Sequence, residues 1–308
     1  MVRLKTLAFG HAADNTFRYL ITQAHSRGCS VQAIDLVHLA LRGKVYPDLS
    51  NPMQSSICIG KQQFHLGDYE AIIARFLDVS AGAPIESMAM HYRRVLSEVC
   101  QVVERVDEMG LAPVVNPPCS DRSNFTKLFH GLLLNEWTGI DIPPSCLSND
   151  PYELKEFFYQ HVGSGVITKG VSASKTWATE VRESDLLRIS SVRTCPVLLQ
   201  QRIKGGDLRI HVAGDEAFGE KIESDRVDYR RQGSLSSYST FLIPDGLRAS
   251  CLSIRNRMGL PLVGVDFKIE DATGRYYLLE ANAMPCYQGY DRRARGAISD
   301  AIVRFLRG

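Results

Sequence analysis

The sequence lacks a CxxC pair, histidines at zinc-finger spacing from its eight cysteines, any apolar run longer than a few residues, and a strong net charge. Each absence excludes a class. Without paired spacing, Cys29, Cys58, Cys100, Cys119, Cys146, Cys195, Cys251 and Cys286 read as scattered thiols of a reducing, cytoplasmic setting, not as a zinc site or a disulfide framework. A bilayer span needs about 20 apolar residues, and none is present. The opening "MVRLKTLAFG" is basic and then apolar, but its apolar part is short and His11 and Asp14 follow at once, so it reads as a first strand, not a signal peptide. A formal charge of +2 argues against nucleic acid or an anionic membrane as the main partner. No internal repeat or low-complexity tract is visible.

What is present reads as an α/β (α+β) protein. "KTLAFG", "ADNTFRYLITQAHSRG" and "CSVQAIDL" form a strand, a helix capped by Asp14 or Asn15 and ended at Gly28, and a second strand. "DYEAIIARFL" is a further strand. "PIESMAMHYRRVLSEVCQVVERVDEMG" carries apolar residues at helical spacing, and "APVVNPP" is a short strand stopped by prolines. A small Rossmann-like domain is therefore expected over residues 1–115. "DRSNFTKLFHGLLLNEWTG" and "DPYELKEFFYQHVG" are the helices of a second segment, 116–195, with "GVITKG" as its strand. From "CPVLLQQRIKGGDLRIHVAGDEAFGEKI" onward the pattern alternates. Gly-Gly and Gly-Asp pairs predict hairpin turns in a third segment, 196–308.

The last hairpin, "LPLVGVDFKIEDATGRYYLLEANAMP", raises the chemical question. A loop of Ala272, Thr273 and Gly274 would pair Asp271 with Arg275 and place Asp266 opposite Glu280, which would share its face with Tyr276, Leu278 and Asn282. Two carboxylates about 5 Å apart across a strand pair repel unless they share a proton or hold a cation. Asn282 adds a neutral oxygen, and three hard oxygens leaving room for phosphate and water suit magnesium. The competing reading is a plain salt bridge from Lys268 to Glu280.

The run from Gly264 to Pro285 resembles the closing motif of the ATP-grasp ligases, nearest to the ribosomal-protein glutamate ligase and graspetide (microviridin-type) peptide ligase branch. Glutathione synthetase and D-alanine–D-alanine ligase are more distant relatives. The likeness extends over roughly residues 115–290 through "VNPPCSDRSNFTK", "DIPPS", "GVITKG", "LLQQRIKGGDLRIHVAGDEAFGEKI" and "DYR". It implies an ATP-grasp fold, with two subdomains clasping ATP, and an ADP-forming ligase. By the same resemblance Asp266, Glu280 and Asn282 would hold Mg2+, two ions with Mn2+ as a substitute. Lys127 and Lys169 would meet the phosphates, and Gln201, Arg202 and Ile203 the adenine. Asp207 would reach the ribose, and Lys169, Arg209 and Arg230 would do the catalytic charge work. The loop "GVSASKTW" departs from the family in lacking several glycines, so Ser172, Ser174 and backbone would cover the phosphates. Gln201 stands where many relatives have Glu.

An acyl phosphate hydrolyses readily, so a dry site and a lid are expected, with "SASKT" and "SDRVDYRRQGSLSSYST" as lid segments. Arg75, Arg292 and Arg293 are candidate clamps for a substrate carboxylate. The expected substrates are a small amino acid, a peptide or a natural-product precursor, joined to an amine or hydroxyl, and a homo-oligomer is compatible with the sequence. Two other classes stand beside the ligase: a small-molecule kinase on the same fold, and a nucleotide-binding protein without catalysis.

Overall fold

Strand β1 (Leu4–Gly10), helix α1 (Asn15–Ser26) and strand β2 (Cys29–Asp35) form a parallel crossover unit in the computed structural model, which describes residues 3–77, 86–120, 126–170, 177–230 and 235–308. Leu7, Ala8 and Phe9 are fully buried, as a parallel strand covered on both faces requires. Asp14 is the cap of α1, accepting the Thr16 N–H. Asp35 caps α2 (Leu36–Arg42) in the same way. A small antiparallel sheet of β3 (Gly43–Tyr46), β4 (Ser56–Ile59) and β5 (Gln62–His65) follows, then β6 (Ala71–Ala74), α3 (Glu86–Glu108) and β7 (Val114–Val115). The first sheet has the order β2-β1-β6-β7, all parallel.

The middle of the chain supplies α4 (Lys127–Thr138), β8 (Ser145–Ser148), α5 (Pro151–His161), β9 (Val166–Lys169), β10 (Thr179–Val181) and β11 (Val197–Gln201). Its sheet runs β10-β9-β11-β8, packed on α5 through Leu154, Phe158, Val166 and Leu199. The last part holds β12 (Gly205–Ala213), β13 (Glu216–Ser224), β14 (Ser236–Phe241), α6 (Asp245–Met258), β15 (Leu262–Glu270), β16 (Tyr276–Asn282), α7 (Gln288–Arg293) and α8 (Ala297–Arg307). Its sheet has the order β14-β13-β12-β15-β16. Helix α8 packs between this sheet and the first. Ile298, Ile302 and Leu306 meet Ala8, Phe17 and Ile73 on one side and Ala213 and Leu262 on the other. Among the described residues no helix is long and apolar enough to cross a membrane.

Three expectations are corrected. Gly205-Gly206 is not a hairpin turn: β11 and β12 belong to different sheets, and the glycines begin β12. Gly205 has φ +147°, and a Cβ there would overlap the Ile269 carbonyl oxygen, so close strand approach explains the residue. Residues 236–241, read as part of a lid, form the edge strand β14; 231–234 and the "VSASK" loop with Ser172 and Ser174 lie outside the described residues.

The third correction concerns the last hairpin. Glu270 donates its N–H to Arg275 O (2.9 Å) and accepts from Gly274 N (2.8 Å), so Glu270 and Arg275 close a loop of four residues, not three. From that turn Ile269 faces Tyr276, Lys268 faces Tyr277 and Phe267 faces Leu278. Continued, that register would put Leu279 opposite Asp266. A one-residue bulge at Leu279 intervenes, and Asp266 lies opposite Glu280 after all. The expected pair exists for a different reason, and Glu280 does not share its face with Tyr276 and Leu278.

Candidate active site

One cross-strand row of the five-stranded sheet carries the charges. Glu280 lies opposite Asp266, Asp266 opposite Arg209, and Arg209 opposite Glu220. Arg209 donates from Nη1 to Asp266 Oδ2. Glu220 accepts two bonds from Arg293, both 2.7 Å. Below this row Asn282 stands opposite Gly264, and its Nδ2 reaches Asp266 Oδ2 (2.9 Å) and Glu280 Oε1 (3.2 Å). Gly264 leaves the room that Arg209 fills: a Cβ there would come within 2.8 Å of Arg209 Nε. On the other side of the row Lys268 pairs with Asp207 (3.0 Å) and donates to Gly205 O (3.1 Å). The salt-bridge reading from Lys268 to Glu280 therefore fails, because Lys268 lies across from Asp207.

Facing the row are cations from the middle segment. Lys127 is the first residue of α4 and Lys169 the last of β9, and both line one cleft of about 430 Å³ with Asp207, Arg230, Asp266, Lys268 and Glu280. Gln201, Arg202 and Ile203 line the same cleft where β11 leaves its sheet. The Gln201 and Arg202 amides are bonded to Pro144 O and Gly165 O, both 2.9 Å. Arg230 is held by the buried Asp228 through two bonds of 2.8 Å, and Asp228 also accepts the Ala178 N–H (3.1 Å). A second cavity of about 390 Å³ shares Tyr229, Arg230, Asp266 and Glu280 with the first, and adds Trp177, Met284 and Tyr290.

The electrostatics follow from this packing. Burial pushes the Asp266 carboxyl up; Arg209 opposes and the Glu280 charge reinforces, and it settles at about 6. Burial acts in the same sense on Glu280, but Lys127, Asn282, Lys169 and Arg230 together hold it below its ordinary value. Burial brings the Lys169 ammonium down to about 8; Glu280 resists, while Lys127 and Arg230 add to the fall. Adjacent charges of each sign thus face one another across the cleft.

Asp266, Glu280 and Asn282 fit a magnesium ion. Among the described residues no cluster of three or more His, Cys, Asp or Glu forms a metal cage. Magnesium, however, takes one or two carboxylates plus substrate phosphates. Two opposed carboxylates, and an amide whose oxygen and nitrogen are interchangeable by rotation, meet that requirement.

The structure does not bring every candidate here. Arg75 pairs with Asp14 at the end of β6, and neither lines these cavities. Arg292 lies over the Tyr19 ring (5.3 Å). Arg293 is bound to Glu220 and packs over Tyr238 and Tyr290, beside the second cavity. Asp228 and Tyr290 are not among the sequence-predicted site residues, and Lys268 enters there only as a salt-bridge partner for Glu280. Tyr290 packs at a tilt against the His211 ring (centroids 4.6 Å apart), and its hydroxyl meets that of Tyr229 (3.2 Å). The signal for Asp228 lies in the "DYR" triplet itself, whose ends bond each other.

No protein-family profile matches the chain, and no curated protein matches it in sequence. Solved structures do. The ATP-grasp ligase PsnB, complexed with a phosphomimetic variant of its minimal precursor, Mg and ADP, superposes with TM-score 0.82 at 23% identity, over 99% of this chain and 100% of that one. The macrocyclase MdnC of Microcystis aeruginosa MRC, bound with the precursor peptide MdnA, gives 0.81 at 20%, over 98% and 99%. D-alanine–D-alanine ligase of Bacillus anthracis, complexed with ATP, gives 0.59 at 12%, over 99% and 97%. At these identities the likeness speaks for architecture, and in architecture the chain has the ATP-grasp fold.

Proposed function

We propose that this protein is an ATP-dependent ligase that activates a carboxylate as an acyl phosphate, releasing ADP, and joins it to an amine or hydroxyl with release of phosphate. The observation that carries this reading is the junction of two cavities at Asp266, Glu280 and Arg230. One cavity is lined by the cations a triphosphate needs. The other opens onto the same three residues from an aromatic side, where an acceptor can meet the terminal phosphate.

ATP would lie in the first cleft, with its phosphates between Lys127 and Lys169 and its base against Ile203, whose N–H has no partner among the described residues. Asp207, paired with Lys268, stands where the ribose would fall. Asp266, Glu280 and Asn282 would hold Mg2+, which when bound neutralises phosphate charge during transfer. A substrate carboxylate oxygen attacks the γ-phosphorus and the bond to ADP breaks. Arg230, locked by Asp228, and Arg209, locked by Asp266, present fixed cations to that oxygen and to the transferred group. The nucleophile then attacks the acyl carbon, phosphate leaves, and the nucleophile's proton is lost. Tyr229, Tyr290, Trp177 and Met284 would limit water at the acyl phosphate.

The substrate we infer is a peptide, as PsnB and MdnC bind precursor peptides. Incubation with ATP, Mg2+ and candidate peptides tests this. ADP release should depend on peptide, and the product should lose one water per bond formed. A product that gains phosphate would identify a kinase instead. Nucleotide binding with no turnover on any peptide or amino acid would favour a non-catalytic protein.

A further inference from the structure

Strand β16 is the edge of its sheet, so every second backbone group points away from β15. Two of these outward N–H groups are taken by neighbours. Leu278 N donates to Asp141 O (2.8 Å), and Ala281 N lies 3.1 Å from the Nε2 of His130, a buried residue of α4. The same Nε2 is 3.1 Å from Ala281 O. In a regular strand outward groups recur every two residues, yet these two are three apart. The extra residue is the bulge at Leu279.

The side chains follow the same count. Leu278, Ala281 and Ala283 point into the core under the sheet, whereas Leu279 and Glu280 line the cleft and Asn282 the second cavity. Without the bulge, the register set by the turn would send Glu280 and Asn282 into that apolar core and turn Ala281 and Ala283 to the cleft. The turn therefore favours one register and the site needs the other. His130 contacts the strand directly after the shift, from a position one helical turn beyond Lys127.

We propose that His130 is a positioning residue that holds the β16 bulge in place, and so aligns Glu280 and Asn282 with Asp266 while tying them to the helix that carries Lys127. This rests on the ligase reading for the identity of the bound ion. A buried outward amide left without its acceptor would cost about as much as a lost buried hydrogen bond, and slipping back to the turn's register relieves it.

The test is the Mg2+ dependence of ATP binding, followed by calorimetry, in His130→Gln and His130→Leu. Gln places an acceptor near the former Nε2; Leu fills the space without one. His130→Leu should raise the Mg2+ concentration for half-maximal binding by about 10- to 100-fold, as loss of a residue supporting metal ligands does, while ATP affinity without metal stays put. His130→Gln should restore wild-type behaviour to within a few-fold. Unchanged Mg2+ dependence in His130→Leu overturns the proposal alone. Absence of Mg2+ dependence in the wild type overturns the ligase reading and the proposal with it. Should the Leu variant not fold, hydrogen exchange of the wild type decides: the Ala281 amide must be protected although it faces away from the sheet, and rapid exchange there refutes the role of His130.

Discussion

Replacing Lys169 with Met should make the protein more stable and a worse nucleotide binder at once. The Lys169 ammonium is half-buried at the end of β9, and burial, opposed by Glu280 and aided by Lys127 and Arg230, takes it from 10.5 to about 8. That displacement corresponds to about 3 kcal/mol against the charged form at neutral pH, less what solvent screening removes. The folded value lies below the unfolded one, so between about pH 8 and 10.5 the unfolded chain binds more protons and folded stability rises with pH. Denaturant unfolding at pH 7 should show Lys169→Met ahead of wild type by about 2–3 kcal/mol. At pH 9.5 wild type should have recovered roughly 2 kcal/mol of that difference. Adding ATP with Mg2+ at pH 7 should reverse the order, because only wild type returns the charge to the phosphates. A stability gap that is the same at both pH values, or a variant less stable at pH 7, would refute the reasoning.

Further outcomes follow from single contacts. Gly264→Ala places a Cβ against the Arg209 guanidinium and should move it off Asp266, lowering peptide-dependent ADP release about 100-fold, measured at saturating ATP. Asn116, in left-handed conformation at φ +61°, donates to Leu262 O (2.8 Å) and Ala283 O and accepts from Leu262 N (2.9 Å). Asn116→Ala should cost about 3 kcal/mol in denaturant unfolding, since three buried backbone groups lose their partner. Burial alone would raise the Asp14 carboxyl, but Arg75 and the Thr16 and Phe17 amides hold it below 3.8. The stability this pair contributes should be complete above about pH 4 and lost as pH falls through the depressed value. Arg75→Met should therefore unfold more easily at pH 6, by about 3 kcal/mol, with the difference shrinking in acid.

Periodicity and caps were legible from the chain: Asp14 before α1, Gly28 after it, and the parallel pair of β1 with β2. Those signals are local, carried by a few neighbouring residues. The opposed carboxylates were found too, through a loop of the wrong length, and the error is instructive. "YYLLEANA" breaks alternation at Leu278-Leu279, which is the mark of a bulge, but only the bonds from Asp141 and His130 show where the extra residue goes. Arg75 looked like a free guanidinium because its partner Asp14 is 61 positions away. The Glu280, Asp266, Arg209 and Glu220 row draws on four strands from 205 to 282.

Residue types and their short-range spacing determined which elements form and that Asp266, Glu280 and Asn282 are out of place in an apolar hairpin. Tertiary structure alone decided which charge each of them meets. Sheet order and register are sums over distant contacts, and no window of neighbouring residues contains them.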